Sequence, residues 1–286
     1  MNSGEINLSI IIVTFNSLPV LTDCLAHLKE AVQRINYELI IVDNNSIDNS
    51  PSVAKNLMPE VRLIVNRINL GFSSACNQGA REAKGEYLLF VNPDVFVDSH
   101  CLEEFLKFIY DKEKVGAVGG RLRWPNGIFQ PSCRNLPTIS NLLCSRGSVF
   151  GRFFRSSGYY TFPDAAVPTE VPAVAGALFI IRKKVFEKVG RFDSNYFMYM
   201  EDTDLCKRLN MIGYSNYFLP AAGAVHEWGK GSIAGSVKRN WHHHLSVQRY
   251  FRKHKKGVVT LTILLIMLTA NFMITSLFES MMPSKK

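Results

Sequence analysis

Residues 8–17, LSIIIVTFNS, and residues 86–95, EYLLFVNPDV, each join a run of apolar residues to a short polar group. The run from Leu8 to Val13 is rich in β-branched residues and does not alternate with polar ones. That pattern is typical of a parallel strand buried on both faces. Residues 38–50, ELIIVDNNSIDNS, repeat it. We therefore predict four strands, over residues 8–13, 38–42, 62–65 and 87–91.

Helical periodicity separates these strands. Leu21, Leu25 and Leu28 recur at helical spacing, and residues 73–83 form a second helical segment. Alternating strands and helices predict an α/β fold with a mainly parallel central sheet flanked by helices. In such sheets ligands bind at the carboxyl ends of the strands. The sequence has neither the G-x-G-x-x-G turn of dinucleotide-binding domains after its first strand nor a P-loop motif.

The composition favours one large domain with an anionic partner. The chain has 286 residues, of which 47% are hydrophobic and 20% are charged, and a formal net charge of +9. It contains neither zinc-finger spacing nor an RNA-binding aromatic signature, so we expect no nucleic acid partner. The six cysteines include no CxxC pair, and the first residues lack a signal-peptide pattern. A reducing cytoplasmic location is the expectation.

The C-terminal part of the chain predicts contact with a membrane. Residues 258–278, VVTLTILLIMLTANFMITSLF, contain no charged residue, and about 20 such residues are needed to cross a bilayer core. We predict a membrane-associated or transmembrane helix over residues 258–279, a basic juxtamembrane helix over 241–257, and the main domain over 1–240. Whether the apolar helix spans the membrane or lies in its interface stays open. The basic flank, residues 249–256, predicts that the preceding domain faces the cytoplasm.

Seven motifs, in order, resemble those of glycosyltransferase family 2, whose members have the GT-A fold. They are VTFNS (13–17), VDNNSIDNS (42–50), NLGFSSACNQGA (69–80), LLFVNPDV (88–95), VAGALFIIRKKVFEKVGRFD (174–193), YMEDTDLCKRLNMIGY (199–214) and HEWGKGS (226–232). Within the family, the chain is most similar to bacterial rhamnosyltransferases of surface-polysaccharide assembly, which make O-antigen or cell-wall polymers. The resemblance implies a Rossmann-like GT-A domain.

The resemblance also implies a divalent metal, Mg²⁺ or Mn²⁺, that neutralises a diphosphate leaving group. The family's DxD motif corresponds to Asn92-Pro93-Asp94, where Asn replaces the first Asp, so Asp94 is the expected ligand and the number of protein ligands stays open. On their own, these residues are equally typical of a turn. Family members often carry a metal-binding His at the place of His226, although a lone His is more often structural.

Glu201 and Asp202 precede apolar residues at helical spacing, so both fall at a helix N-terminus. An acidic helix cap would explain them without any catalytic role. The resemblance identifies Asp202 as the general base that takes the proton of the acceptor hydroxyl, and Glu201 as a residue that positions acceptor hydroxyls. Asp204 is better explained as a first-turn charge that interacts with the helix dipole.

Residues for both substrates follow from the resemblance. Asp43 is expected to contact the nucleobase or its ribose. The other expected donor-binding residues are Thr14, Asn16, Arg67, Asn69, Gly71, Asn77, Asn92 and Lys230. The expected acceptor-binding residues are Trp124, Arg134, Gly176 and Glu201. Lys230 lies in a loop with Gly229, Gly231 and Ser232, which is also typical of a mobile lid.

The expected function is therefore inverting transfer of a sugar from a nucleotide-diphosphate donor, with dTDP-rhamnose the donor that the relatives suggest. The expected acceptor is a polyprenyl-diphosphate-linked saccharide, and the expected place is the cytoplasmic face of the bacterial inner membrane, with the protein peripheral or single-pass among the membrane lipids. Two other functions stay open. One is a non-catalytic, glycosyltransferase-like membrane assembly factor, and the other is a sugar nucleotidyltransferase.

Overall fold

A central β-sheet organises the chain. The computed structural model describes residues 7–138, 141, 160–161, 165–230, 236–254 and 257–281. Its strands are β1 (Leu8–Thr14), β2 (Tyr37–Asp43), β3 (Arg62–Val65), β4 (Tyr87–Val91), β5 (Val95–Val97), β6 (Val115–Arg123), β7 (Phe129–Gln130), β8 (Cys133–Arg134), β9 (Tyr160–Thr161), β10 (Thr169–Val171), β11 (Ala173–Val174), β12 (Leu178–Arg182) and β13 (Ser215–His226). The four strands predicted from the sequence are thus confirmed.

Eight helices accompany the sheet in the described chain. They are α1 (Leu18–Ala31), α2 (Ser50–Leu57), α3 (Phe72–Glu82), α4 (Cys101–Tyr110), α5 (Lys183–Lys188), α6 (Glu201–Met211), α7 (Ser236–His254) and α8 (Val258–Met281).

Strand β1 is apolar along its whole length because its alternate residues are buried on opposite faces of the sheet. Ile10 and Ile12 belong to the core on one face of the sheet with α1 and α4, whereas Ile11 and Val13 belong to the core on the other face with α3, α5 and α6.

The main sheet is mixed rather than mainly parallel, which corrects the sequence-based expectation. Its order is β10-β13-β6-β12-β4-β1-β2-β3, with β5 beside β13 and β7 beside β6. The half formed by β4, β1, β2 and β3 is parallel as predicted. β12 runs antiparallel to both β4 and β6, because the long connection after β6 returns the chain to the same carboxyl edge at which β6 ends. Leu178, the first residue of β12, therefore pairs with Val91, the last residue of β4.

The antiparallel strand β12 has a functional consequence. Because it starts where β4 ends, the residues just before it lie at the same sheet edge as the residues just after β4. The backbone N–H of Asn92 donates to the carbonyl of Ala177 at 2.9 Å. Gly176 and Asn92 are thereby brought together across more than 80 residues of sequence.

A buried charge cluster joins α6 to α7. The Asp204 carboxylate is fully buried and accepts from Arg208 at 2.7 Å, from Lys253 at 2.9 Å and from His254 at 2.8 Å. Burial alone would raise the pKa of Asp204, but the His254 hydrogen bond and the charges of Arg208 and Lys253 outweigh it and lower the pKa to about 2. Asp204 thus lies in the first turn of α6, as predicted, and in addition anchors α7 through Lys253 and His254.

The C-terminal helices pack on each other. The ring of Trp241 in α7 lies 5.3 Å from that of Phe272 in α8, and Leu264 is buried with Val247, Tyr250 and Phe251. Taking the described residues only, none of the helices combines the length and the hydropathy that a membrane span requires. Lys255, Lys256, Cys144, Gly231 and Ser232 lie outside the described residues, and the other five cysteines are buried free thiols.

We expect Asp204→Asn to lower the free energy of unfolding at neutral pH by about 3 kcal/mol, because Lys253 and His254 lose a buried charged partner. The folded-state pKa of Asp204 is depressed, so its stabilisation is fully present above the ordinary value of 3.8 and is lost as the pH falls towards about 2. Urea unfolding between pH 7 and pH 3 measures both effects. The exposed Asp23→Asn is the control, and a stability difference that stays constant with pH would contradict the assignment.

Candidate functional site

Asp94 and His226 meet at the carboxyl edge of the sheet. His226 is the last residue of β13 and pairs with Val95, the first residue of β5, so Asp94 lies beside it. His226 Nε2 lies 3.4 Å from Asp94 Oδ1, and both side chains are buried. The other ring nitrogen, Nδ1, lies 2.6 Å from Gln130 Oε1. The two residues that were predicted from motifs 132 positions apart in the chain are thus brought into contact.

The tautomer of His226 matches that of a metal ligand. A carbonyl oxygen only accepts, so Nδ1 donates its proton to Gln130, as the second ring nitrogen of a metal-bound His commonly does. Nε2 then faces the Asp94 carboxylate, and a cation between the two would interact favourably with both. His226 Nε2 has no hydrogen-bond partner among the described residues, and neither does the buried Asn92 Oδ1. These atoms fit a divalent cation held by Asp94 and His226.

The candidate metal site offers few protein ligands. Within the described ranges, no group of three or more His, Cys, Asp and Glu side chains is placed to hold a metal ion. The replacement of the first DxD aspartate by Asn92 accounts for this, since an amide oxygen is a neutral ligand. A cation bound here would complete its coordination with oxygens of the substrate diphosphate and water.

Asp202 is held at the start of α6 by four hydrogen bonds. Its Oδ2 accepts from Arg134 Nη2 at 2.5 Å and from the backbone N–H of Gly176 at 2.7 Å. Its Oδ1 accepts from the N–H of Thr203 at 2.6 Å and from the Thr203 hydroxyl at 3.1 Å. Gly176 allows this close approach, because a Cβ there would lie 3.2 Å from Asp202 Cβ and would crowd the carboxylate. Arg134 and Gly176, both predicted on the acceptor side, therefore contact the predicted base directly.

Glu201, unlike Asp202, has a carboxyl oxygen that accepts no hydrogen bond from the described residues. It is buried, and its Oε2 has no hydrogen-bond partner in the described part of the chain. Burial raises the pKa of Glu201 well above its usual range, and the charge of Asp202 raises it further. Two neighbouring carboxyl groups are therefore distinguished by their surroundings. Asp202 receives donors on both oxygens, whereas Glu201 is expected to hold a proton at neutral pH.

The turn that immediately precedes Glu201 and Asp202 has a strained backbone. Tyr199 and Met200 have φ angles of +70° and +67°, in the left-handed region that non-glycine residues rarely adopt. Burial raises the pKa of Tyr199, Arg239 opposes this, and the charges of Glu201 and Asp94 add to the increase. Tyr199 therefore feels the charges of both Glu201 and Asp94. The acid pair and the candidate metal pair are also linked through the backbone, because the N–H of Asn92 bonds the Ala177 carbonyl and the N–H of Gly176 bonds Asp202.

The residues expected at the nucleotide, Thr14, Asn16 and Asp43, are hydrogen-bonded to each other or to the loop after β2. Asp43 accepts from the Thr14 hydroxyl at 2.7 Å, and from the hydroxyl and the N–H of Ser46 at 2.5 and 2.8 Å. Asn16, with φ +51°, accepts from the N–H of Ile47 at 2.8 Å. These contacts join the loops after β1 and β2 into one wall at the carboxyl edge. Here the three residues shape the predicted donor pocket through their mutual contacts.

The second group of expected donor residues builds the entrance to α3. Gly71 has a φ of +82°, and a Cβ on it would lie 2.5 Å from the Phe197 carbonyl oxygen. Asn69 accepts from the Gly71 N–H at 2.9 Å. Asn77 bonds the backbone of Phe192 in both directions, at 2.8 and 3.1 Å. Their contacts hold α3 against the segment before Glu201. Arg67, the remaining expected donor residue of this group, has an exposed side chain.

Two tryptophans form a platform near His226 that sequence analysis recognised only in part. The rings of Trp124 and Trp228 meet edge to face at 6.3 Å, and Trp228 is 67% exposed. Trp124 was predicted, but Trp228 was not singled out, although its place between His226 and Lys230 was the available signal. Lys230 pairs with Glu227 at 3.0 Å on the surface.

The three consecutive histidines of α7 contact different neighbours and do not form one site. His242 stacks on Phe197, with ring centroids 4.4 Å apart, and His243 meets Tyr199 at 5.6 Å. Nδ1 of His244 is instead bonded within its own helix. The first two therefore support the segment that leads into Glu201, a role that the sequence did not reveal.

Comparison with known sequences agrees with this geometry. A family model described as glycosyl transferase family 2 matches residues 9–190. An N-acetylglucosaminyl-diphospho-decaprenol L-rhamnosyltransferase of Mycobacterium tuberculosis is 28% identical over 265 residues, which cover 87% of this chain and 85% of that protein. The rhamnosyltransferase WbbL of Escherichia coli K12 is 30% identical over 149 residues, covering 51% of this chain and 54% of that protein.

Solved structures share the fold. A mannosyltransferase from Pyrobaculum calidifontis in complex with GDP-Man and Mn²⁺ superimposes with a TM-score of 0.61 at 19% identity, covering 89% of this chain and 66% of that one. GalNAc-T7 with UDP, GalNAc and Mn²⁺ gives 0.57 at 14% identity, covering 88% and 48%. At these identities the likeness concerns the fold alone, which is that of the GT-A glycosyltransferases. Since the family model covers more than half of the chain, this protein belongs to glycosyl transferase family 2.

Proposed function

We propose that this protein is a metal-dependent, inverting glycosyltransferase that moves a sugar from a nucleotide-diphosphate donor to a lipid-linked saccharide. The observation that carries the proposal is the Asp202 carboxylate, which Arg134, Gly176 and Thr203 hold within one electrostatic site with the Asp94–His226 pair. The names of the relatives support rhamnose as the sugar, with dTDP-rhamnose as the donor that follows from it, and a diphospho-polyprenol-linked N-acetylglucosamine as the acceptor.

Asp202 acts as the general base in this proposal. An acceptor hydroxyl replaces one of its present donors and gives its proton to Oδ2 while the acceptor oxygen bonds to the anomeric carbon. The bond from that carbon to the donor diphosphate breaks at the same time, with the electron pair leaving on the phosphate oxygen, so the configuration inverts. Arg134 compensates the carboxylate charge and fixes its orientation, and the N–H groups of Gly176 and Thr203 prevent it from rotating.

Glu201 and the tryptophans position the acceptor. A protonated Glu201 can donate a hydrogen bond to a sugar hydroxyl, which an ionised one cannot. The exposed faces of Trp124 and Trp228 offer an apolar surface for a sugar ring near His226. The acceptor hydroxyl would then lie between this platform and Asp202.

Asp94 and His226 would hold Mg²⁺ or Mn²⁺, with Asn92 available through its amide oxygen. When bound, such an ion neutralises charge that develops on the leaving diphosphate. The non-catalytic alternative rests on the single change to Asn92, and the intact pair of buried ligands and the anchored Asp202 favour catalysis over it.

The C-terminal helices support a place at the membrane surface. The side chains of Val258, Ile266 and Met273 in α8 are 77%, 64% and 65% exposed. Such apolar side chains next to the basic α7 suit an anionic lipid surface. We propose peripheral association with the cytoplasmic face of the bacterial inner membrane, where a lipid-linked acceptor is held.

Asp202→Asn is expected to reduce the turnover number at least about a thousandfold, because an amide cannot take the acceptor proton. Release of dTDP from dTDP-rhamnose in the presence of a lipid-linked N-acetylglucosamine acceptor measures it. Binding of dTDP, followed by calorimetry, should stay unchanged, and Asp23→Asn serves as the exposed control. Turnover near that of the unchanged protein would reject Asp202 as the base.

His226→Ala is expected to weaken Mn²⁺ binding at least about tenfold, because one of two buried ligands is lost. Electron paramagnetic resonance of free Mn²⁺ during titration measures the affinity without turnover. His100→Ala removes a surface imidazole and should leave the affinity unchanged. Equal affinity in the two variants would place the metal elsewhere.

A protonated carboxyl band should be present in the infrared spectrum at pH 7 and should disappear in Glu201→Gln. The raised pKa of Glu201 is the reason, since the group stays protonated above the range where carboxyls normally ionise. The stability contributed by this proton is lost as the pH rises from the ordinary pKa of 4.5 to about 8, and Glu201→Gln should remove this pH dependence. A band unaffected by Glu201→Gln but lost in Asp202→Asn would reverse the two roles.

A further inference from the structure

A cavity of about 640 Å³ lies along α7, on the side that faces the segment before Glu201. One wall comes from residues 193–197 and the other from the helix. The lining residues that matter for its chemistry are Asp193, Phe197, His242, Arg249, Arg252 and Lys253. Neither Asp94 nor His226 lines it, so it is separate from the candidate metal pair.

The charges of this cavity leave an excess of two cations. Lys253 is paired with Asp193 at 2.8 Å and with Asp204 at 2.9 Å, so its charge is compensated. Arg249 and Arg252 form no ion pair with any residue that the structure describes, and both are exposed. A guanidinium presents several donors in a planar array that matches phosphate oxygens. The cavity therefore suits an anion with two negative charges.

His242 adds a polar atom that needs a partner. Its ring stacks on Phe197, and its Nε2 is buried without a hydrogen-bond partner among the described residues. Burial lowers the pKa of His242, and the nearby Lys238 lowers it further, so the ring is neutral at pH 7. A neutral imidazole in the cavity wall can donate to a phosphate oxygen, which would satisfy an atom whose isolation costs free energy.

Arg249 and Arg252 lie on the same face of α7 as His242. At 1.5 Å per residue, roughly 15 Å separates His242 from Arg252. At the His242 end, Phe197 and Tyr199 lead directly to Glu201. At the other end, α7 ends at His254 and the exposed apolar Val258 begins α8. A molecule lying along this face would place a sugar near Glu201, a charged group at the arginines and a lipid at Val258, in that order.

We propose that this cavity binds the diphosphate that joins the saccharide to the lipid of the acceptor. The inference rests on the proposed function, because it assigns a place to the acceptor of that reaction. A diphosphate with organic groups at both ends carries two negative charges, which matches Arg249 and Arg252. The donor diphosphate is assigned to the separate Asp94–His226 pair, so the two anions have different sites.

Binding without turnover tests the proposal on the full chain. Two acceptor analogues differ in one feature: N-acetylglucosamine joined to citronellol through a diphosphate, and the same sugar joined to citronellol directly. With a chelator present, calorimetry should show that the unchanged protein binds the diphosphate analogue about tenfold or more tightly. The double variant Arg249→Gln/Arg252→Gln should lose this preference. Arg34→Gln, which removes an exposed charge before β2 at the opposite edge of the sheet, should keep it.

The outcomes separate the cavity from the catalytic proposal. If the double variant keeps the preference, the cavity does not bind the diphosphate and the inference is wrong. If the preference depends on the two arginines while no sugar is transferred under any condition, the inference holds and the proposed function fails. Flotation with phosphatidylglycerol vesicles tests the other source of phosphate. Loss of vesicle binding in the double variant, with the diphosphate preference kept, would assign the arginines to membrane headgroups and overturn the inference.

Discussion

The Asp202 carboxylate is the interaction on which the site depends. Its four donors come from β8, from Gly176 two residues before β12 and from α6 itself, so three distant parts of the chain must meet at one group. This meeting requires β12 to run antiparallel, because only then does Gly176 reach the edge where β4 ends. The absence of a side chain at Gly176 allows the close approach, since a Cβ there would crowd the carboxylate. The mixed topology of the sheet is thus part of how the site is built.

Adjacent acids can perform different tasks when their environments differ. Asp202 accepts hydrogen bonds on both oxygens, whereas Glu201 is buried beside it with Oε2 unsatisfied. The charge of Asp202 adds to the effect of burial in raising the pKa of Glu201. In the proposed mechanism, these two consecutive carboxyl groups would serve as a base and a hydrogen-bond donor. The strained turn at Tyr199 and Met200 is the backbone cost of directing both side chains inward.

The sequence predicted the parallel half of the sheet well, because residues such as Ile10 and Ile11 are buried on both faces and leave a continuous apolar run. Motifs with specific spacing also singled out Asp94 and His226, which the structure brings together, and Asp202, whose role as a base stays a prediction. The sequence could not predict the direction of β12, which depends on a long irregular connection without periodicity. The role of Asp204 was missed for a related reason. Its partners Lys253 and His254 are about 50 residues away, and a local pattern shows only a helix start.

Helix α7 lies between the C-terminal helix α8 and the segment that precedes Glu201. It supports the segment before the acids through the His242–Phe197 stack, the His243–Tyr199 contact and the bond from Ser246 to the Met198 carbonyl at 2.8 Å. The Asp204 cluster then fixes the same helix to α6. Any shift of α7 would therefore change the strained turn and with it Glu201. In the proposed function, an acceptor that reaches the site along α7 would contact the helix that holds the turn before Glu201 in place, so recognition of the acceptor and the geometry of the two acids would depend on the same helix.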